Sequence, residues 1–218
     1  MKLQVQKRDN LNIWSLSGVL AVGFYLAHVI AGRLVWVDYN PLAQPISDLT
    51  AGNAPSQAIS SKILYGYNLF NLLFCVVLLI YFRRVWVNRL FYVGLILKFF
   101  AELLSTFGYF FFPLADTDWG GSFQNTMHYA ITGVIVFSYI VLSVLLVLGL
   151  HKVKKYRQMT RFLTIYGVIF IVSGIFTVIA ANNFPDYVGL MERINLYSLM
   201  VANFSLALWV FRDRPNMG

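Results

Sequence analysis

Six long apolar segments, separated by more polar connections, dominate this sequence of 218 residues. About 20 mostly apolar residues suffice to cross the roughly 30 Å hydrocarbon core of a bilayer as a helix. Apolar residues make up 59% of the chain and charged residues 12%, and one small soluble domain cannot bury so much apolar side chain. We therefore predict an all-α, polytopic membrane protein with a single domain over residues 1–218 and spans at about 12–36, 63–82, 90–112, 125–150, 162–181 and 194–211.

The basic residues are unevenly distributed over the predicted connections. Thirteen of the 17 basic residues lie at the termini and in the second and fourth connections, namely Lys2, Lys7, Arg8, Arg83, Arg84, Arg89, Lys152, Lys154, Lys155, Arg157, Arg161, Arg212 and Arg214. The positive-inside rule then predicts that both termini are cytoplasmic. We expect a location in a bacterial cytoplasmic (inner) membrane. Topogenic loops and anionic lipid account for the net charge of +8, so membrane lipid is expected as a partner and nucleic acid is not, while protein partners stay unknown.

The third predicted span carries a polar stripe. Lys98, Glu102, Ser105 and Tyr109 follow one another at helical spacing and therefore share a face. A charged side chain inside a membrane is costly and normally faces the interior of a helix bundle. We expect Lys98 and Glu102 to face the interior, either as a pair that neutralises itself or as part of a functional site.

Other polar residues lie near the same predicted outer end. Asp48 belongs to a long first connection in which Leu42, Ile46 and Leu49 give the chain a reason to fold back over the bundle. His128 begins the fourth span and Arg193 begins the sixth. Because unpaired charges are costly in a low dielectric, we predict that Asp48, Glu102, His128 and Arg193 converge on one externally open cavity, with Arg193 or Lys98 neutralising Asp48 or Glu102.

The aromatic residues near the span ends have a simpler interpretation. Trp and Tyr are enriched where a membrane protein crosses the lipid headgroup region. We therefore assign Trp36, Tyr39, Trp86 and Trp119 to interfacial belts.

The sequence lacks the short motifs that indicate a nucleotide, a catalytic zinc or a nucleophilic serine. A metal would have to be held by His28, His128 and carboxylates, which do not follow a recognised ligand spacing. We therefore expect neither a metal nor another cofactor.

Three segments resemble a bacterial family of six-span membrane proteins of unknown function, DUF998. They are NPLAQPISDLTAG after the first span, QNTMHYAITG at the head of the fourth, and GLMERINLY before the last. The Ile-Ser-Asp element also faintly resembles the eukaryotic damage-regulated autophagy modulator and glycolipid-anchor remodelling proteins, which loosely implies work on lipids. By position, the resemblance points to Ser47, Asp48, His128, Glu192 and Arg193.

Our leading functional hypothesis is an outward-facing polar pocket that binds or modifies a lipid headgroup or a small amphiphile. The candidate ligand-binding residues are Ser47, Asp48, Lys98, Glu102, His128, Glu192 and Arg193, and the candidates for a catalytic role are Asp48, Glu102 and His128. Whether the protein is an enzyme stays open.

Two alternatives remain. A metal-assisted membrane hydrolase would use His28, His128, Asp48 and Glu102. A small-molecule or proton-coupled transporter would place Lys98 and Glu102 on its path, but it would also need a polar route through the inner halves of the spans, which are nearly pure hydrocarbon in the fourth and sixth.

Overall fold

A computed structural model describes residues 10–117 and 121–213, and within these ranges the chain is helical with no β-strand. These ranges contain seven α-helices in chain order: α1 Asn10–Trp14, α2 Ser17–Val35, α3 Gln57–Arg84, α4 Arg89–Phe111, α5 Phe123–Leu150, α6 Arg157–Asn183 and α7 Val188–Arg212. Several residues assigned from the sequence lie outside the described ranges, namely Lys2, Lys7, Arg8, Trp119 and Arg214.

Among the described residues, six helical segments are long and apolar enough to cross a membrane, and α1 with α2 forms the first of them. The prediction of an all-α, six-span membrane protein is therefore confirmed. The helices extend beyond the apolar segments, because polar residues at the membrane boundary continue the helical hydrogen-bond ladder. Thus the second span begins at Gln57 and the sixth at Val188. As a result, Glu192 and Arg193 lie within the first two turns of α7.

The spans form a ring in chain order. Each long helix packs against the next one, and α7 closes the ring by packing against α2. Helix pairs joined by connections 36–56, 112–122 and 184–187 meet at one end of the ring, which we call the long-loop end. The opposite end, which we call the basic end, carries connections 85–88 and 151–156.

Large apolar side chains fill the axis of the ring toward the basic end. Phe74 and Phe82 on α3, Phe91 on α4, Leu142 on α5 and Leu163 on α6 are each at most 2% exposed. Lipid is as apolar as these side chains, so their close packing contributes mainly dispersion energy. This packing leaves the long-loop half of the ring as the place where a site can form.

Candidate functional site

A cavity of about 640 Å³ occupies the long-loop half of the ring, and all six spans contribute to its lining. Five of the predicted ligand-binding residues line it, together with His28; the five are Ser47, Asp48, Glu102, His128 and Glu192. Lys98 and Arg193 are buried next to lining residues without lining the cavity themselves. Asp48, Glu102 and His128 therefore line one cavity, whereas Arg193 is buried behind the lining residues.

A buried ion pair forms the floor of the cavity. Lys98 Nζ donates to Glu102 Oε1 at 3.0 Å and to the hydroxyl of Tyr139 at 3.2 Å. The Tyr139 hydroxyl in turn donates to Glu102 Oε1. Lys98 and Glu102 are each 3% exposed, which confirms that both side chains face the bundle interior. The positive charge is thus satisfied from two helices, and Glu102 is the member of the pair that reaches the cavity.

A second polar chain lies beside this floor and links α3 to α7. Asn203 Nδ2 donates to Asn71 Oδ1 at 3.3 Å, and Asn71 Nδ2 donates to the Tyr67 hydroxyl at 3.1 Å. Asn71 and Asn203 are each 1% exposed. Such fully buried amide contacts hold two neighbouring spans in register.

The first connection folds over the cavity as a roof, which we define as residues 45–50. Ile46 and Leu49 are buried at 3% and 0% exposure, as their apolar character predicts. Leu42 is 49% exposed, so the prediction that it also anchors the connection is wrong. Its backbone is used instead: the Leu42 carbonyl accepts a hydrogen bond from Leu190 N at 2.9 Å, which satisfies one of the free N–H groups at the start of α7.

Glu192 and Arg193 fasten the roof to α7. The Glu192 carboxylate accepts a hydrogen bond from the backbone N–H of Ile46. Arg193 Nη1 donates to the carbonyls of Pro41 and Gln44 at 2.6 and 2.8 Å, and to that of Gly189 at 2.9 Å. The guanidinium is therefore satisfied by carbonyl oxygens. Among the described residues it forms no ion pair with Asp48 or Glu102. Of the two cations predicted to neutralise one of these carboxylates, Lys98 does so by pairing with Glu102.

Tyr39 belongs to the same hydrogen-bonded contact between the roof and α7, and not to an interfacial belt. Its side chain is 1% exposed, and its hydroxyl donates to the Pro45 carbonyl at 2.7 Å while Arg193 Nη2 donates to it. The Arg193 guanidinium also lies 5.3 Å from the centre of the Tyr39 ring. Burial raises the pKa of the Tyr39 hydroxyl above its ordinary value, so it stays a neutral hydrogen-bonding group.

His128 is held against the wall of the cavity by its neighbours. Its Nδ1 lies 3.0 Å from the Phe112 carbonyl, and its ring stacks on that of Tyr109 at 4.6 Å between centroids. The Tyr109 hydroxyl lies 2.9 Å from Thr132 Oγ1, one helical turn after His128. The stripe predicted on the third span and the histidine face of the fourth therefore meet as one wall.

His28 contributes a buried imidazole to the wall of the cavity. It is 1% exposed, and its Nδ1 has no hydrogen-bond partner among the residues that the structure describes. Its ring lies edge-on to Tyr25 at 4.7 Å. A buried polar atom without a partner costs free energy.

Asp48 is a carboxylate in the roof that has no hydrogen bond or ion pair within residues 10–117 and 121–213. It lines the cavity and is 3% exposed. Burial and the nearby charge of Glu192 raise the pKa of Asp48 to about 7, although Arg193 acts in the opposite direction. Asp48 therefore changes charge near neutral pH, and a cation beside it would stabilise the charged form.

Parts of the side walls are open toward the membrane. Tyr65 on α3 and Phe110 on α4 both line the cavity and are 54% and 60% exposed. Val178 on α6 also lines it and is 64% exposed. The roof residues Ile46 and Asp48, in contrast, are buried. The lining is therefore polar at the floor and roof, and its exposed part is mainly apolar or aromatic.

The described residues hold no group of three or more histidine, cysteine, aspartate or glutamate side chains that could bind a metal ion. His28 and His128 both line the cavity, but among the described residues they do not form a metal-binding group with aspartate or glutamate side chains. The arrangement therefore suits hydrogen bonding and charge pairing with a ligand, and it gives no support to the metal-assisted hydrolase.

Tyr139 and Tyr39 are among the site residues that the sequence did not indicate. Tyr139 follows His128 and Thr132 at helical spacing, so an extension of that face would have identified it. Tyr39 gave no comparable signal, because its contact with Arg193 joins residues that are 154 positions apart.

No curated protein and no solved structure matches the chain at a significant level. The faint resemblance to the eukaryotic autophagy-modulator and anchor-remodelling proteins thus stays a prediction. A family model described as "Protein of unknown function (DUF998)" matches residues 19–209. The match includes the roof, the His128 wall and the Glu192–Arg193 fastening, and so the chain belongs to the DUF998 family of proteins of unknown function.

Proposed function

We propose that this membrane protein binds the polar head of an amphiphile, a lipid or a smaller molecule, in the cavity beneath the roof. The observation that carries the proposal is the lining itself, which combines buried polar groups with half-exposed walls. The head would lie between Asp48 in the roof and Glu102 in the floor, and the tail would leave past Tyr65 and Phe110 into the surrounding lipid. Ligand sites are commonly concave and mostly apolar with a few convergent polar groups.

Transport is a weaker candidate on the same observations. A substrate that crossed the membrane would have to continue from the floor toward the basic end. That half of the axis is filled by side chains such as Phe74, Phe82 and Leu142, which are at most 2% exposed. No specific observation favours such a path.

Filling the cavity should abolish binding. Ser105 lines the cavity next to Glu102, so Ser105→Trp would place an indole in the space of the ligand head. We expect protein purified in mild detergent to carry a co-purified amphiphile, detected by native mass spectrometry, and we expect Ser105→Trp to lower its occupancy at least fivefold.

Phe107→Trp is the matched control for this change. Phe107 lies on the same helix, is 53% exposed and does not line the cavity. The Phe107→Trp variant should retain the co-purified amphiphile at the occupancy of the original protein. Equal occupancy in both variants would count against the cavity as the binding site.

We also propose the orientation and location of the protein: a bacterial cytoplasmic membrane with both termini inside and the roof outside. The uneven distribution of basic residues supports this orientation. Asn53 is exposed in the first connection, and the native Cys75 is buried. A cysteine introduced at Asn53 should therefore react with a membrane-impermeant maleimide in intact cells.

Lys152→Cys serves as the opposite control. Lys152 is exposed in the fourth connection, at the basic end. This variant should react only after the cells are broken. The reverse pattern of labelling would invert the proposed topology.

A further inference from the structure

We propose that the ligand head carries a positively charged ammonium group and that Asp48 is its counter-ion. This inference rests on the proposed function and specifies the class of amphiphile that the cavity accepts. It follows from which charges reach the cavity and which of them already have partners.

The charged lining of the cavity is acidic. Asp48, Glu102 and Glu192 line it, and no lysine or arginine does so within the part of the chain that the structure describes. An anionic head would approach three carboxyl groups without a cation in the lining, which is unfavourable in a low dielectric. A cationic head would instead be attracted by these carboxyl groups.

Only one of the three carboxylates lacks a partner among the described residues. Glu102 is paired with Lys98 at 3.0 Å, and Glu192 accepts the Ile46 N–H. Asp48 has no such contact, although it is 3% exposed. A buried carboxylate without a partner is costly unless it is protonated or meets a cation. Asp48 is therefore the group that a bound ammonium would satisfy.

The groups around Asp48 leave this role to a ligand. Glu192 and Arg193 act on it from α7, Tyr129 from α5 and Tyr39 from its own connection. Arg193 donates its hydrogen bonds to three carbonyls and to Tyr39, and it makes none to the Asp48 carboxylate among the described residues. Without a ligand, burial and Glu192 raise the pKa of Asp48 to about 7, and a bound cation should lower it.

The remaining lining suits the same ligand. Six tyrosines line the cavity among the described residues, namely Tyr25, Tyr65, Tyr67, Tyr109, Tyr129 and Tyr139. Aromatic faces attract ammonium groups, and this attraction is stronger where water is excluded. Tyrosines of this kind would accept a substituted ammonium as well as a primary amine.

The test uses the full-length protein in lipid nanodiscs, with empty nanodiscs as the background. The probe is radiolabelled decyltrimethylammonium, and decyl sulfate and decyl glucoside compete as anionic and neutral heads on the same tail. We expect decyltrimethylammonium to bind at least tenfold more tightly than either competitor. Below about pH 7 its affinity should fall about tenfold per pH unit, because Asp48 takes up a proton.

Asp48→Asn should weaken binding of the probe at least tenfold and remove its pH dependence. Asp38→Asn is the matched control, because Asp38 is exposed in the same connection. Asp38→Asn should change neither the affinity for the probe nor the pH dependence of that affinity. If Asp48→Asn fails to fold, the ranking of the three heads on the unmodified protein decides the question.

A second comparison identifies the source of the ammonium group. Lysophosphatidylethanolamine and lysophosphatidylglycerol share a tail and a phosphate, and only the first carries an amine. Competition by the first alone would identify a lipid headgroup, whereas competition by neither would identify a free cationic amphiphile. Equal competition by both would overturn the ammonium assignment.

The failure of this inference differs from the failure of the proposed function. If decyl sulfate or decyl glucoside binds as tightly as the cation, and Ser105→Trp removes that binding, the cavity binds amphiphiles but the ammonium assignment is wrong. If none of the three binds above the background, both proposals fail.

Discussion

Replacing Glu102 with glutamine should lower the free energy of unfolding by about 3–5 kcal/mol, because it leaves the charge of Lys98 buried without a counter-charge. Lys98 is 3% exposed, and its ammonium group has two hydrogen-bonding contacts, with Glu102 and Tyr139. Glutamine retains the shape of the side chain and removes only the negative charge. The loss should appear in equilibrium unfolding by a denaturing detergent.

The double variant Lys98→Met with Glu102→Gln should recover most of this loss. Replacing both members of a buried ion pair with uncharged side chains of similar volume is often neutral. We expect the double variant to lie within about 1 kcal/mol of the original protein, and the two single changes to be strongly non-additive. A double variant as unstable as Glu102→Gln alone would refute this account.

The surface pair of Lys155 and Asp213 provides the control. Its atoms lie 3.4 Å apart, and the Lys155 side chain is 54% exposed. Solvent screens such a pair, so Lys155→Met should cost less than about 1 kcal/mol.

If the double variant at positions 98 and 102 folds normally but no longer retains its amphiphile, the buried pair also serves the ligand.

The two charge pairs differ in how far the sequence could predict them. Lys98 and Glu102 are one helical turn apart, so their contact follows from spacing alone. The sequence could not show that Arg193, the alternative cation, would form no ion pair with Asp48 or Glu102, because sequence reasoning counts charged groups and overlooks backbone carbonyls. Arg193 found its partners in the carbonyls of Pro41 and Gln44, whose positions depend on the folded connection.

The same distinction applies to the fold. Apolar segment length predicts the six spans, since lipid requires every backbone polar group in a span to be satisfied internally. It does not predict the order of the helices in the ring, because lipid is as apolar as the packed faces. The closing contact between α7 and the first span depends instead on shape, and on polar contacts such as Asn12 Nδ2 on α1 donating to the Val210 carbonyl at 2.7 Å.

Replacing Arg193 with methionine should release the roof. The variant keeps most of the side-chain length and removes the guanidinium donors to the Pro41 and Gln44 carbonyls and to the Tyr39 hydroxyl. Hydrogen bonds from charged groups are worth about 1.5–3 kcal/mol. We therefore expect the equilibrium population of molecules with an open roof to rise roughly tenfold or more, since about 1.4 kcal/mol corresponds to a factor of ten.

A cysteine at position 47 measures this opening directly. Ser47 lies in the roof and lines the cavity, so Ser47→Cys, in a chain that also carries Cys75→Ala, should react slowly with a maleimide while the roof is closed. Adding Arg193→Met should raise the labelling rate at least tenfold.

Arg33→Met distinguishes the roof fastening from a general loss of charge at this end of the bundle. Arg33 is exposed and donates to the carbonyls of Trp36 and Val37 at 3.0 and 2.6 Å, outside the roof. It should leave the labelling rate at position 47 within a factor of two of the original, because its contacts do not include Tyr39, Pro41 or Gln44, through which Arg193 holds the roof. If Arg33→Met accelerates labelling as much as Arg193→Met does, the roof is not held by the contacts of α7 and its opening reflects loosening of the whole long-loop end.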